Sequence, residues 1–254
     1  MREESYGEIK RMHRNLWTGI RAALVATLAL GTTALAATPT ADSVATDQLK
    51  DMTGTLRVVK ADFAELGKIS REFRVTYRFK RMDVAYKFPN RTRLETKAAG
   101  MTGILIFNEN TRYYKLPIRT DRKDITGQPG QKQGLLQLGV FSKDFLDADY
   151  EAVYQKTDNG RLVFKLNQRG TDNKSHEVVW VNPKNHIIEK RQSFNGDNKL
   201  RMETRYLSPQ QVRPGIFVPT RIEIYNQNGK LGAVQAFEGV KVNLGVSDAL
   251  FETK

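Results

Sequence analysis

Between Glu72 and Pro117 the chain alternates apolar and polar residues. The clearest stretch is Phe73-Arg74-Val75-Thr76-Tyr77-Arg78-Phe79-Lys80. A period of two puts Phe73, Val75, Tyr77 and Phe79 on one face of a strand and Arg74, Thr76, Arg78 and Lys80 on the other. Met82 to Phe88, with Val84 and Tyr86 in phase, and Gly103 to Phe107 continue the pattern, which predicts an antiparallel meander with one dry and one basic face. Pro89-Asn90 and Asn108-Glu109-Asn110 supply turns, the second leading into a strand at Tyr113 to Leu116.

Upstream, Val44, Ala45, Leu49 and Met52 fall at helical spacing behind Asp42 or Ser43 as N-cap, predicting an N-terminal helix from Asp42 to Met52. Leu56 to Phe63 reads as a strand, although Ala61 to Leu66 suits a helix equally well. Downstream, Pro117 to Gly134 is polar and glycine-rich and predicts a long mobile loop. From Leu135 to Leu146, Leu135, Leu138, Phe141 or Ser142, Phe145 and Leu146 then share a helical face that Asp144 and Asp147 avoid, predicting a short amphipathic helix that packs back on the sheet. Strands resume at Tyr150 to Tyr154, Leu162 to Leu166, Glu177 to Val181, Ile187 to Phe194, Leu200 to Tyr206, Pro219 to Tyr225 and Leu231 to Val242. Asp158-Asn159-Gly160, Asn195 to Asn198, Pro214-Gly215 and Asn226 to Gly229 punctuate them. About ten strands and two helices result, a mainly β chain.

Charge changes the picture through location. The 254-residue chain carries a formal +13, which points to an anionic partner. Lys10, Arg11, Arg14 and Arg21 precede an apolar run from Ala22 to Leu30 and the small residues Ala34-Leu35-Ala36. That is the pattern of a secretory signal peptide over residues 1–36, with Met12 as an alternative start. Its cleavage would leave 36 Lys/Arg against 25 Asp/Glu, or +11, so the basicity belongs to the folded part, a single domain over residues 37–254. Export argues against nucleic acid and favours an anionic membrane or cell-wall polymer. With no cysteine, the chain has no disulfide framework and must rely on its core.

Candidate chemistry is sparse. Of three histidines, His13 leaves with the leader, His186 lies in a turn, and Ser175-His176-Glu177 places neighbours on opposite faces of a strand, where a triad cannot converge. No His or Cys pair has metal-ligand spacing, and Asp144, Asp147, Asp149 and Glu151 lack the EF-hand pattern. Gly127, Gly130 and Gly134 lack the Lys-Ser/Thr of a phosphate loop. Rings and cations alternate over Phe73 to Arg81 and so cannot stack bases on one surface. Neither an enzyme nor a bound cofactor is expected. What remains is an apolar sheet face with little helix to cover it, and a curved sheet with two short helices across its mouth leaves a cavity suited to an apolar ligand.

Three stretches resemble the LolA/LolB-like outer-membrane lipoprotein carriers: Tyr86 to Glu95 with its aromatic-Pro-Asn motif and following arginines, Gly103 to Tyr114, and Val246 to Phe251. The resemblance implies a curved antiparallel sheet forming an incomplete β-barrel, closed by an N-terminal helix and an inserted lid helix, around a cavity that receives acyl chains. The carrier's lid-gating arginine directly precedes the proline; here that position is Phe88, with Lys87, Arg91 and Arg93 nearby. On this reading Phe73, Val75, Tyr77, Phe79, Val84, Tyr86, Ile104, Ile106 and Tyr114 line the cavity, and Leu135, Leu138, Phe141 and Phe145 face it from the lid. Arg74, Arg78, Lys80, Lys87, Arg91 and Arg93 would meet an anionic membrane surface. The expected protein is a monomeric, non-enzymatic periplasmic carrier of a lipid or lipoprotein acyl chain. The alternative is an envelope regulatory module on the same fold, using the loop Pro117 to Gly134 to bind a partner protein.

Overall fold

The computed structural model describes residues 38–98 and 101–253; the leader-like segment 1–36 lies outside the described residues. Thirteen strands build one sheet: β1 Asp51–Ala61, β2 Arg81–Lys87, β3 Arg91–Ala98, β4 Met101–Asn108, β5 Thr111–Leu116, β6 Arg119–Asp124, β7 Tyr150–Asp158, β8 Arg161–Gln168, β9 His176–Val181, β10 Ile188–Phe194, β11 Leu200–Arg213, β12 Ile216–Asn226 and β13 Leu231–Val242. The order is β6-β5-β4-β3-β2-β1-β13-β12-β11-β10-β9-β8-β7, every ladder antiparallel. Chain neighbours pair throughout, β1 pairs with β13, and the single break falls between β6 and β7. The curved sheet is therefore an unclosed barrel, and residues 125–149 cross the break.

The predicted strand Phe73 to Lys80 is instead part of a helical hairpin, α1 Phe63–Ile69 and α2 Arg71–Thr76. Caps decide this. The Asp62 carboxylate accepts from the amides of Ala64 and Glu65, and the Ser70 hydroxyl accepts from that of Phe73. Helical winding brings Phe73 and Tyr77 together four residues apart, rings stacked with centroids 6.1 Å apart. Tyr77 is buried, Phe73 and Phe79 are half-buried, and Val75 is 47% exposed, so the four do not form one wall.

The predicted N-terminal helix is also corrected. Residues 41–43 form one 3-10 turn and the chain is extended from Asp51. Val44 and Leu49 are buried, but against the core from an irregular strap whose Thr46 bridges Ser142. The supposed loop Pro117 to Gly134 contains β6 and a 3-10 turn at Pro129–Gln131. Wholly polar β6 lacks any alternation to reveal it, and charge is what an unpaired sheet edge needs to resist aggregation. β3 was hidden for a similar reason, since Leu94 is its one large apolar residue.

The lid helix is shorter than predicted. Gly139 at φ +81° ends the turns that begin at Gly134, Val140 bridges Ile187, and α3 covers only Lys143–Ala148 behind Ser142. Asp144 does not avoid the buried face, being 5% exposed. At the other end of the chain, a 3-10 turn at Asp248–Phe251 docks Phe251 on the convex face with Ala85, Ile106 and Tyr113, a small cluster separate from the main core.

Candidate ligand site

Register sorts the wall residues. Val84, Leu94, Leu105 and Tyr114 stand opposite one another across β2 to β5, as do Tyr86, Thr92 and Phe107 across β2 to β4. These rows face inward, since Val84, Tyr86 and Leu94 join the main core. Ile104 and Ile106 sit one residue out of phase and pack outward, Ile106 against Phe251 and Tyr113. The candidate inner pair on β4 is thus Leu105 and Phe107 in place of Ile104 and Ile106. A run of four apolar residues, Ile104 to Phe107, hides the phase, because either alternate pair reads as inward.

The segment after β6 covers this concave face. Leu135, Leu138, Phe141 and Phe145 are all buried, and Phe141 stacks on Phe164 of β8 at 5.5 Å while meeting Phe145 edge-on at 5.7 Å. Four side chains therefore fill the space that the fold would otherwise leave open. Beside Leu135, Phe145 and Tyr150 a cavity of about 20 Å³ remains, room for about one water.

Polar groups hold the segment down. The Tyr86 hydroxyl donates to Asp144 Oδ2 at 2.5 Å, and Asp144 also accepts from the Ser142 hydroxyl and the Phe145 amide. Asn90 Nδ2 donates to the Asp144 carbonyl, and the Tyr206 hydroxyl donates to the carbonyls of Leu136 and Gln137 at 3.2 Å. Burial, reinforced by the Asp144 charge, pushes the Tyr86 hydroxyl far above its ordinary range, so it remains a neutral donor. Across the barrel break, Arg112 Nη1 donates to Gln131, and Lys132 pairs with Asp149 at 2.6 Å. Burial raises the Asp149 carboxyl despite that lysine.

The opposite wall holds a polar group that sequence reasoning missed. Arg191 stands in the inward row Phe164, Val179, Arg191, Thr204, Ile224, among core side chains, and is 6% exposed. Its nearest carboxylate, Glu177, lies 4.0 Å from Nε and instead accepts from the Ser193 hydroxyl at 2.6 Å. Burial raises the Glu177 carboxyl, while Arg191 and the Ser193 hydrogen bond hold it down in part. Nothing in Glu189-Lys190-Arg191-Gln192 marks one cation as internal.

The predicted basic surface divides. Arg74, Arg78 and Lys80 are exposed on or beside α2. Lys87 and Arg91 instead clasp Asp248 at 2.9 and 2.5 Å, and Arg93 bonds Glu95 and the Leu250 carbonyl. Those three hold the C-terminal turn on the convex face. His176 stacks on Phe194 at 4.9 Å, and His186 Nδ1 lies 2.9 Å from the Val44 carbonyl. Among the described residues, no group of three or more acidic or histidine side chains is placed to hold a metal ion.

No protein-family model matches the chain, and no curated protein matches it in sequence. Solved structures do. A LolA superfamily protein from Nitrosomonas europaea superposes with a TM-score of 0.53 at 15% identity, covering 84% of this chain and 94% of that one. An outer membrane lipoprotein-sorting protein domain from Vibrio parahaemolyticus gives 0.53 at 11% identity, covering 83% and 92%. The likeness rests on backbone course over nearly the whole of both structures: this chain has a LolA-like fold.

Proposed function

We propose that this protein is a periplasmic carrier that holds the acyl chains of a lipid or lipoprotein beneath residues 134–149 for transfer towards the outer membrane. The observation that carries the reading is the way Leu135, Leu138, Phe141 and Phe145 fill the concave face. On this reading these side chains stand where a ligand would lie, on a segment that belongs to no strand of the sheet. Each acyl methylene that replaces them contributes about 0.8 kcal/mol, so a long chain can offset the cost of lifting the segment. Val84, Tyr86, Leu105, Phe107 and Tyr114 would form one wall. The cargo needs no chemistry from the protein, and no catalytic role is proposed.

A leader over residues 1–36, a folded domain from residue 37 and monomeric operation complete the proposal. Basic residues Arg74, Arg78 and Lys80 would face an anionic leaflet. Mass spectrometry of protein expressed with its leader should find co-purifying lipid, and the purified protein should take up a fluorescent fatty acid. Protein that contains no lipid and takes up none would end the carrier reading.

One observation favours the alternative of a partner-binding module. β6 leaves one edge unpaired, and Ile118 beside it is 95% exposed. A strand from another envelope protein could extend the sheet there. Replacing residues 117–124 with a short turn would then abolish partner capture while sparing lipid uptake.

A further inference from the structure

We propose that Arg191 is the anchor for the oxyanion head of an acyl amphiphile that enters the barrel head first, a carboxylate or phosphate with its chain trailing towards the covering segment. The inference rests on the carrier reading and adds the class of ligand.

Arg191 is the only arginine in the buried set among the described residues. Its Nε is fully enclosed with no hydrogen-bond partner, and the single carboxylate nearby stays at 4.0 Å, beyond hydrogen-bond reach. Four arginines nearer the surface are better served: Arg57, Arg161, Arg205 and Arg221 each donate to a carboxylate at 2.6 to 2.7 Å. A buried guanidinium, with five donors in a planar fork, is costly unless paired and hydrogen-bonded. An incoming carboxylate or phosphate supplies the geometry that the fork fits.

Its surroundings suit an incoming anion. Tyr77, Tyr150 and Tyr206 are its electrostatic neighbours besides Glu177. The Tyr206 hydroxyl now donates to Leu136 and Gln137 on the covering segment. Lifting that segment removes both acceptors and frees a hydroxyl donor beside Arg191. Beside Thr204, which stands directly opposite Arg191, the wall at this level is made by Phe164, Val179 and Ile224, which are apolar and would meet the chain. Glu177 is a resident competitor for the guanidinium, so neutralising it should strengthen binding of an anion.

Equilibrium dialysis of the leaderless protein against radiolabelled oleate and methyl oleate tests this. The wild type should bind oleate at least tenfold more tightly than the ester. Arg191→Met should bring that ratio close to one, chiefly through loss of oleate affinity, and Glu177→Gln should raise it. Equal affinity for acid and ester in the wild type would overturn the proposal, as would an unchanged ratio in folded Arg191→Met. If that variant does not fold, Glu177→Gln decides: a ratio at or below the wild-type value overturns the anchor. Acetate and inorganic phosphate should not bind at millimolar concentration. Arg191-dependent binding of either would make the site one for free anions and refute the acyl part. Ester binding without acid preference leaves the carrier reading standing, whereas binding of neither ligand removes both.

Discussion

If Phe141 occupies ligand space, removing it should weaken the fold and strengthen binding together. The side chain is fully buried, stacked on Phe164 and edge-on to Phe145, and it reaches these partners only while residues 134–149 lie in the barrel. Phe→Ala in a core costs about 3–5 kcal/mol. Because the lost contacts belong to the closed arrangement, most of that cost also comes off the work of opening the segment. About 3 kcal/mol off the opening step, at 1.4 kcal/mol per decade, raises apparent affinity by about 100-fold, and we expect 10- to 100-fold once partial collapse of the space is allowed for. Urea unfolding reads the stability loss, and equilibrium dialysis against oleate reads the affinity. Phe251→Ala is the control, equally buried but on the convex face. It should lower stability and leave affinity where it was. Oleate affinity that is unchanged or reduced in folded Phe141→Ala would show that the covering segment does not stand in for ligand.

Three further outcomes follow from the same contacts. Tyr86→Phe removes the donor to Asp144 and leaves a buried carboxylate oxygen short of a partner, which should cost about 1–3 kcal/mol by chemical denaturation. Gly139→Ala would drive a methyl into the Tyr206 ring at a φ of +81°, so the segment should lose protection in hydrogen exchange well before the sheet does. Lys87 and Arg91 hold the Asp248 carboxyl below its ordinary range through hydrogen bonds. A depressed acid stabilises above its unfolded value and loses that contribution as pH falls through the folded one. The C-terminal turn should therefore become protease-sensitive in acid below the ordinary carboxylate range, and Asp248→Asn should show that sensitivity at neutral pH.

How far the pattern of residues could be read depended on what competed with it. Alternation found most of the strands on either side of the covering segment, because one face of each is buried and the other is not. It failed at Phe73 to Lys80, where the same spacing lies behind Ser70 and Asp62 and their caps turn the chain into helices too short to show a period. It also failed at β3 and β6, where cross-strand hydrogen bonds hold polar residues that no hydrophobic pattern marks. The lid residues Leu135, Leu138, Phe141 and Phe145 were legible as a group that must be buried, although Gly139 cuts the helix that was to carry them.

Composition and local order alone were enough for the mainly β class, the apolar inner face and the basic surplus, since each depends on residues counted or spaced along the chain. Tertiary structure decided the rest. It settled which of Ile104/Ile106 and Leu105/Phe107 face inward, because only pairing with β3 sets the phase. It settled that Lys87, Arg91 and Arg93 hold the chain's own C-terminal turn, because Asp248 and Leu250 lie about 150 residues away in sequence. Above all it buried Arg191 in a row with Phe164, Val179, Thr204 and Ile224 from separate strands, 4.0 Å from the Glu177 carboxylate. Burial is a property of everything that folds over a residue, and for a lone cation in a polar strand no local pattern encodes it.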